Sequence, residues 1–159
     1  MIALVQRVLR SDVEVDGRSV GAIGPGILAL IGVQADDDQH AAQRLVERVL
    51  AYRLFSDPQG RMNLSLADVG GGLLLVPQFT LAADTRQGNR AGFSTAAAPI
   101  EARRLFDAMV AAARRLHPVV ATGEFGAHMR LSLVNDGPVT FWLEAGPKPR
   151  PQGAEPAGL

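Results

Sequence analysis

The chain has 159 residues, 47% of them hydrophobic, with 16 basic and 16 acidic side chains and a formal net charge of zero. That length suits one domain with a proper core, and the balanced charge argues against holding nucleic acid through an overall field, so any RNA contact has to come from a local patch. Cysteine is absent, which excludes disulfides, Cys-ligated zinc and a thiol nucleophile, and is compatible with a cytoplasmic location.

In chain order, "MIALVQRVLR" has a short apolar run broken by Gln6 and Arg7 and is expected to be a strand, not a signal peptide. No stretch approaches the roughly 20 apolar residues of a membrane helix. "VEVDGRSVGAIG" is expected to be a hairpin turning at Asp16-Gly17. "PGILALIGVQ" is an aliphatic run that suits a buried strand. "DDDQHAAQRLVERVLAYRLF" is the clearest helix: Asp36 to Asp38 supply an N-cap and negative charge at the positive helix end, and Leu45, Val49 and Tyr52 recur at helical spacing. "SDPQGRMNLSLADVGGG" is turn chemistry with a short strand near Met62 to Leu64. "LLLVPQFTLAA" is a strand run with a proline inside it, and "DTRQGNRAGFSTAAAP" has the composition of an exposed loop. A second helix, "IEARRLFDAMVAAARRLH", opens after Pro99 and stops before Pro118. "LSLVNDGPVTFWLEA" (131–145) has the pattern of two strands meeting at Asp-Gly, yet a proline follows where a hairpin would resume its ladder. From Gly146 to Leu159 the chain is rich in proline and glycine with almost nothing apolar to bury, the composition of a disordered tail. The expected architecture is an α+β domain over 1–145, mostly antiparallel and barrel-like sheet with two main helices, followed by a 146–159 tail.

The usual catalytic constellations are scarce. His40, His117 and His128 have no metal-ligand spacing and fit ordinary surface histidines; no G-x-S-x-G elbow is present. What remains are polar residues embedded in apolar strand runs. Gln78 and Thr80 interrupt "LLLVPQFTL", and Asn135 and Thr140 flank Asp136-Gly137-Pro138. A long amide in such a run has to be hydrogen-bonded or exposed in a cleft. Each pair lies beside a proline that frees backbone groups, which points to a site made largely of main chain.

At these two segments the chain resembles the D-aminoacyl-tRNA deacylase family, also known as D-tyrosyl-tRNA deacylases. Its Ser-Gln-x-Thr signature corresponds to "PQFT" (77–80) and its Asn-x-Gly-Pro-Val-Thr signature to "NDGPVT" (135–140). Agreement extends to "MIALVQRV", "YRLFSD", "MNLS", "QFTLAADT" and "SLVNDGPVTFWLE", covering essentially residues 1 to 145. Two positions depart from the family pattern. Pro77 stands in place of the serine, so no role for that hydroxyl carries over, and "RAGF" (90–93) stands in place of Arg-Pro-x-Phe.

The resemblance implies hydrolysis of the ester joining a D-amino acid, and also glycine, to the terminal adenosine of tRNA, with no cofactor or metal. It implies homodimers with active sites at the subunit interface, and a cis Gly137-Pro138 motif inserted into the partner's site. Gln78, Phe79 and Thr80 would be catalytic, and Gly137, Pro138, Asn135 and Arg7 would bind substrate and select its handedness. An enzyme that accepts many D-amino acids recognises what they share, so stiff main-chain carbonyls would hold the α-amino group and crowd an L side chain.

Backbone N–H groups near Phe79 and Thr80 suit an oxyanion hole. Either Thr80 is the nucleophile, or water attacks with the ribose 2′-hydroxyl assisting; the lack of a histidine placed to activate Thr80 favours water. Arg86 and Arg90 in the following loop are candidate tRNA contacts, whereas Arg103, Arg104, Arg114 and Arg115 equally suit a solvated helix face. The alternatives are a dimeric RNA- or ligand-binding module and a hydrolase of another small ester.

Overall fold

The computed structural model describes residues 1–149. The N-terminal segment forms one long strand, β1 (Ile2–Val15), that returns as β2 (Arg18–Ile23). Asp16 and Gly17 both take positive φ, 50° and 76°, which is the backbone of the expected two-residue hairpin turn. The aliphatic run becomes β3 (Gly26–Gly32), antiparallel to the first half of β1. Helix α1 (Gln39–Ala51) follows, then a two-stranded ribbon of β4 (Phe55–Ser56) and β5 (Met62–Leu64), helix α2 (Leu66–Val69) and strand β6 (Gly72–Pro77). A 3-10 turn (Phe79–Ala82) leads into a loop, helix α3 (Pro99–Leu116), strand β7 (Val120–Thr122) and strand β8 (Arg130–Glu144).

The main sheet has the order β2-β1-β3-β6-β7, and β8 lies along the other edge of β1. It is mixed: β1 pairs antiparallel with β2, β3 and β8, while β3-β6 and β6-β7 are parallel. The sheet curls until its end strands meet. A Cβ on Gly21 of β2 would lie 2.3 Å from the Thr122 carbonyl oxygen of β7, so only glycine lets the barrel come this near to closing.

Both faces of β3 and β6 are covered, which explains why their sequences are continuous apolar runs. Ile27, Ala29, Ile31, Leu73 and Leu75 meet the helices, against Leu45, Val46 and Val49 of α1 and Leu105, Phe106 and Met109 of α3. The alternate residues Leu28, Leu74 and Val76 point into the barrel with Val8, Val13 and Ile23. Each large apolar side chain buried in these layers contributes roughly 1.5–3 kcal/mol relative to exposure.

Helix α1 is capped as expected, with the Asp38 side chain accepting from the Ala41 N–H at 2.8 Å. The neighbouring Asp37 carboxylate instead accepts from the terminal amine of Met1 and, at 2.6 Å, from the Gln34 N–H. Helix α3 has Pro99 at its start, and its last residue lies two positions before Pro118. The backbone N–H of Lys148 donates to Asp38 at 3.1 Å; the rest of the expected tail, 150–159, lies outside the described residues.

Three expectations are corrected. The turn-rich stretch before β6 contains a third helix, α2, closed by a reciprocal capping box between Ser65 and Asp68. His117 is buried, not a surface histidine; it caps α3 and its Nε2 lies 2.7 Å from the Gly71 carbonyl oxygen. The 131–145 stretch is not a hairpin. Its two halves run in the same direction in β8, and both pair with β1, whose 14 residues span them.

Candidate functional site

The proline that interrupts β8 marks a bulge. Val8 of β1 pairs with Asn135 and Gln6 pairs with Thr140, so residues 136–139 all lie opposite Arg7. The extra residues leave the sheet edge as a small loop whose Gly137-Pro138 peptide is cis and whose two residues are exposed.

Its base is held by two side chains. Asn135 Nδ2 donates to the carbonyls of Arg7 and Val139, each at 3.0 Å, and its Oδ1 accepts from the Val139 N–H at 3.3 Å. Arg7 Nε donates to the Asp136 carbonyl at 2.8 Å, lies 3.2 Å from the Asp136 carboxylate, and Arg7 Nη1 donates to the Leu54 carbonyl at 2.8 Å. A Cβ on Gly137 would fall 2.5 Å from Asn135 Oδ1 and 2.0 Å from the Val139 nitrogen. Glycine is therefore required there by space. Beside the bulge, Gln6 Nε2 donates to Thr140 Oγ1 at 3.0 Å.

The second candidate segment begins where β6 ends. The Gln78 N–H donates to the Ile31 carbonyl at 2.7 Å, after which the chain tightens into the 3-10 turn. The N–H groups of Phe79 and Thr80 open that turn and, among the described residues, donate to no protein acceptor, as first-turn amides do unless capped. Phe79 and Thr80 are exposed, and the amide of Gln78 donates to Thr80 Oγ1. That amide is the side-chain partner of Thr80; no histidine is hydrogen-bonded to it among the described residues. Beneath Phe79 lies a small apolar hollow lined by Ile31, Val33, Pro77, Phe106 and Phe125. Pro77 thus contributes apolar wall where the family signature has a hydroxyl.

The loop after the turn carries Arg86 and Arg90. Arg86 makes a forked contact with Asp84, Nε to Oδ1 at 2.8 Å and Nη2 to Oδ2 at 2.7 Å. That guanidinium, together with the Arg86 backbone N–H, holds the Asp84 carboxyl well below the usual carboxylate range. Arg90 has no ion-pair partner among the described residues. Of the α3 arginines, Arg104 is paired with Glu101, and Arg103 lies 4.0 Å from Asp107. Asp84, Asp136 and Gln6 were not singled out in the sequence, since each acquires its role from a partner that only folding supplies or from a forked pairing.

One chain does not bring the two segments together. Pro77 lies in register with Ile31 and Ala3, whereas the bulge is opposite Arg7, four residues along β1 and on the strand beyond it. That separation is roughly 13 Å along the strands and roughly 14 Å across three strand spacings. Among the described residues, no three His, Asp or Glu side chains gather as a metal site, and no helix is long and apolar enough to cross a membrane.

Comparison with known proteins supplies context for this arrangement. The sequence model of a family described as D-Tyr-tRNA(Tyr) deacylase matches residues 4–144. A D-aminoacyl-tRNA deacylase of Thioalkalivibrio sulfidiphilus is 68% identical over 150 residues, covering 94% of this chain and 100% of that protein. One of Azotobacter vinelandii is 61% identical over 145 residues, covering 91% and 100%. Among solved structures, the c-Myc DNA Unwinding Element Binding Protein superposes with a TM-score of 0.87 at 35% identity, covering 91% of this chain and 99% of that one. A probable eukaryotic D-amino acid tRNA deacylase shares the fold, with a TM-score of 0.78 at 20% identity and coverage of 90% and 98%.

Proposed function

The chain belongs to the D-Tyr-tRNA(Tyr) deacylase family, and from that premise we propose that it selects its substrate by handedness, with Gly137 and Pro138 as the gauge. It is a hydrolase of the aminoacyl-tRNA ester bond, a D-aminoacyl-tRNA deacylase. The reading of chirality rests on one observation: Asn135 and Arg7 hold an exposed backbone bulge in a fixed shape at Gly137-Pro138.

Main-chain carbonyls on such a bulge accept hydrogen bonds from an α-ammonium group, and their rigidity penalises a side chain projecting the wrong way. Discrimination by clash is effective because about 1.4 kcal/mol is already tenfold. Glycine has no side chain to collide, so glycyl-tRNA is admitted as well.

The chemistry falls to the 3-10 turn. Water attacks the ester carbonyl carbon, the negative charge that develops on its oxygen is met by the N–H groups of Phe79 and Thr80, and the bond to the ribose oxygen breaks. Each such donor is worth roughly 3 kcal/mol. The proton lost by water passes to the departing ribose oxygen with help from the neighbouring 2′-hydroxyl of the substrate. Gln78 and Thr80, bonded to each other, position the terminal adenosine and the reacting ester. A nucleophilic Thr80 is the less favoured reading, since its hydroxyl faces an amide donor and no base.

The gauge and the turn are far apart on one chain, so the working enzyme is a homodimer in which each protomer lends its bulge to the other's turn. β8, which pairs with β1 alone among the described residues, leaves its outer edge available for that assembly. Arg90, on the loop that leaves the turn, faces the incoming tRNA, and Arg86, forked onto Asp84, shapes that loop. The decisive experiment is incubation of the purified protein with D-tyrosyl-tRNA, L-tyrosyl-tRNA and glycyl-tRNA. Release of D-tyrosine and glycine with L-tyrosyl-tRNA spared is expected. Hydrolysis of none would leave a binding module, and equal hydrolysis of D and L forms would remove the gauge.

A further inference from the structure

The loop that follows the 3-10 turn is tied down at its neck. Asp84 and Gly92 exchange backbone hydrogen bonds, Asp84 N–H to the Gly92 carbonyl at 2.7 Å and Gly92 N–H to the Asp84 carbonyl at 2.9 Å. Just beyond, Thr95 Oγ1 donates to the Ala82 carbonyl at 2.6 Å, and the Phe93 ring packs on Phe79 with centroids 5.3 Å apart. Residues 84–92 are therefore carried by the same turn that presents the Phe79 and Thr80 amides. The loop encloses an open cleft of about 460 Å³ lined by polar groups, among them Asp84, Arg86, Arg90 and Ser94.

The two arginines in this cleft are not equivalent. The Nε–Nη2 edge of the Arg86 guanidinium is committed to Asp84, so the pair is close to neutral and its geometry is internal to the loop. Arg90 is exposed and, among the described residues, forms no salt bridge, since the nearby Asp84 carboxylate is taken by Arg86. A cleft with one uncommitted guanidinium, polar walls and an anchored neck fits a phosphate, because a planar fork of N–H donors matches phosphate oxygens.

We infer that Arg90 is the contact for a backbone phosphate of the nucleic-acid strand leading to the terminal adenosine, while the Asp84–Arg86 pair sets the shape of the loop without binding phosphate itself. This inference rests on the reading of the 78–80 turn as the hydrolytic site. It assigns the charge-dependent part of substrate affinity to one residue in a chain of zero net charge.

The test measures deacylation of D-tyrosyl-tRNA against salt concentration in wild type, Arg90→Gln, Arg90→Lys and the charge-neutral double variant Asp84→Asn/Arg86→Gln, with Tm recorded for each. One lost phosphate contact on a single strand should reduce the slope of log(kcat/KM) against log[salt] by about 0.7 in Arg90→Gln. KM at low salt should rise about tenfold, the equivalent of one charge-assisted hydrogen bond, with kcat held. Arg90→Lys should keep most of the slope, and the double variant should keep all of it.

D-tyrosyl-adenosine, which has no phosphate, provides the second arm: on it Arg90→Gln should match wild type. A loss of similar size on both substrates, or an unchanged slope, overturns the proposal. Inorganic phosphate at constant ionic strength separates the two sources of the ligand. Saturable inhibition by millimolar phosphate would mark a pocket for the free anion and overturn the strand contact, whereas little inhibition supports it. Should wild type hydrolyse neither substrate, the hydrolytic reading itself fails, a result distinct from any behaviour of Arg90.

Discussion

The Asn135 amide donates to the backbone carbonyl of Arg7 at 3.0 Å, while the Arg7 guanidinium reaches back to the carbonyl of Asp136, the residue after Asn135, at 2.8 Å. The two residues are 128 positions apart in the chain and clamp one bulge from both sides. Neither bond spans a regular ladder position. They occupy the place where the β1-β8 ladder is interrupted, so they do for residues 136–139 what strand pairing does elsewhere.

Asn135→Ala removes both donations and leaves the carbonyls of Arg7 and Val139 and the N–H of Val139 without their partner. Unmet polar groups at a part-buried site cost roughly 1–3 kcal/mol. The expected outcome is a lower Tm and at least a tenfold slower single-turnover hydrolysis of D-tyrosyl-tRNA. A variant with wild-type turnover would show that the bulge needs no clamp.

Gly137→Ala inserts a methyl group 2.0 Å from the Val139 nitrogen and 2.5 Å from Asn135 Oδ1. Backbone, not a flexible side-chain end, is the nearest obstacle, so the bulge has to shift. Loss of D-tyrosyl-tRNA hydrolysis is expected even where circular dichroism shows an intact fold, because Gly137 and Pro138 lie outside both core clusters. Retention of full activity and of D-over-L preference would rule out Gly137 as part of the gauge.

Thr80→Ala is expected to keep deacylation within about tenfold of wild type, since a positioning hydroxyl contributes about one hydrogen bond. Rapid-quench experiments with labelled D-tyrosyl-tRNA should trap no acyl-protein. A loss of several orders of magnitude, with a trapped adduct in wild type, would restore Thr80 as the nucleophile.

Complementation tests the shared site. Phe79→Pro deletes one candidate oxyanion donor at a first-turn position where proline is tolerated. Co-expressed with Gly137→Ala, it should form mixed dimers in which one of two sites carries no defect. Random pairing then predicts recovery to about one quarter of wild-type activity from two nearly inactive parents, given the two-fold symmetry of such dimers. No recovery in a mixture shown to contain mixed dimers would mean that each chain builds its own site.

Acid should weaken the cap of α1. The backbone N–H of Ala41, and next that of Lys148, hold the Asp38 carboxyl below its ordinary value of 3.8. A carboxyl lowered in the folded state adds stability that is complete above the unfolded value and is lost as pH falls through the folded one. The Tm advantage of wild type over Asp38→Ala should therefore be constant near neutrality and shrink below about pH 4. A gap unchanged down to pH 2 would place the capping energy elsewhere.

Local sequence was enough for the elements whose determinants sit within a few residues. Asp16-Gly17 dictates a turn because both positions need positive φ, Asp38 caps α1, and Pro99 and Pro118 bracket α3. The Ser65-x-x-Asp68 capping box was legible by the same rule, although the glycines around α2 obscured it. The two signature segments were legible as well, as polar residues in apolar runs and as family motifs. Tertiary structure decided what those segments do to one another. Whether 131–145 turns back or runs on depends on β1, more than 100 residues away, which offers a partner to both halves and so favours a bulge over a hairpin. Burial of His117 and the separation of Gln78 from Pro138 are likewise set by strand order. The neutralisation of Arg86 needed a side-chain fork onto Asp84 that spacing alone does not specify. Backbone preferences act over one turn of chain, whereas ladder pairing and charge matching join residues that only the folded sheet brings close.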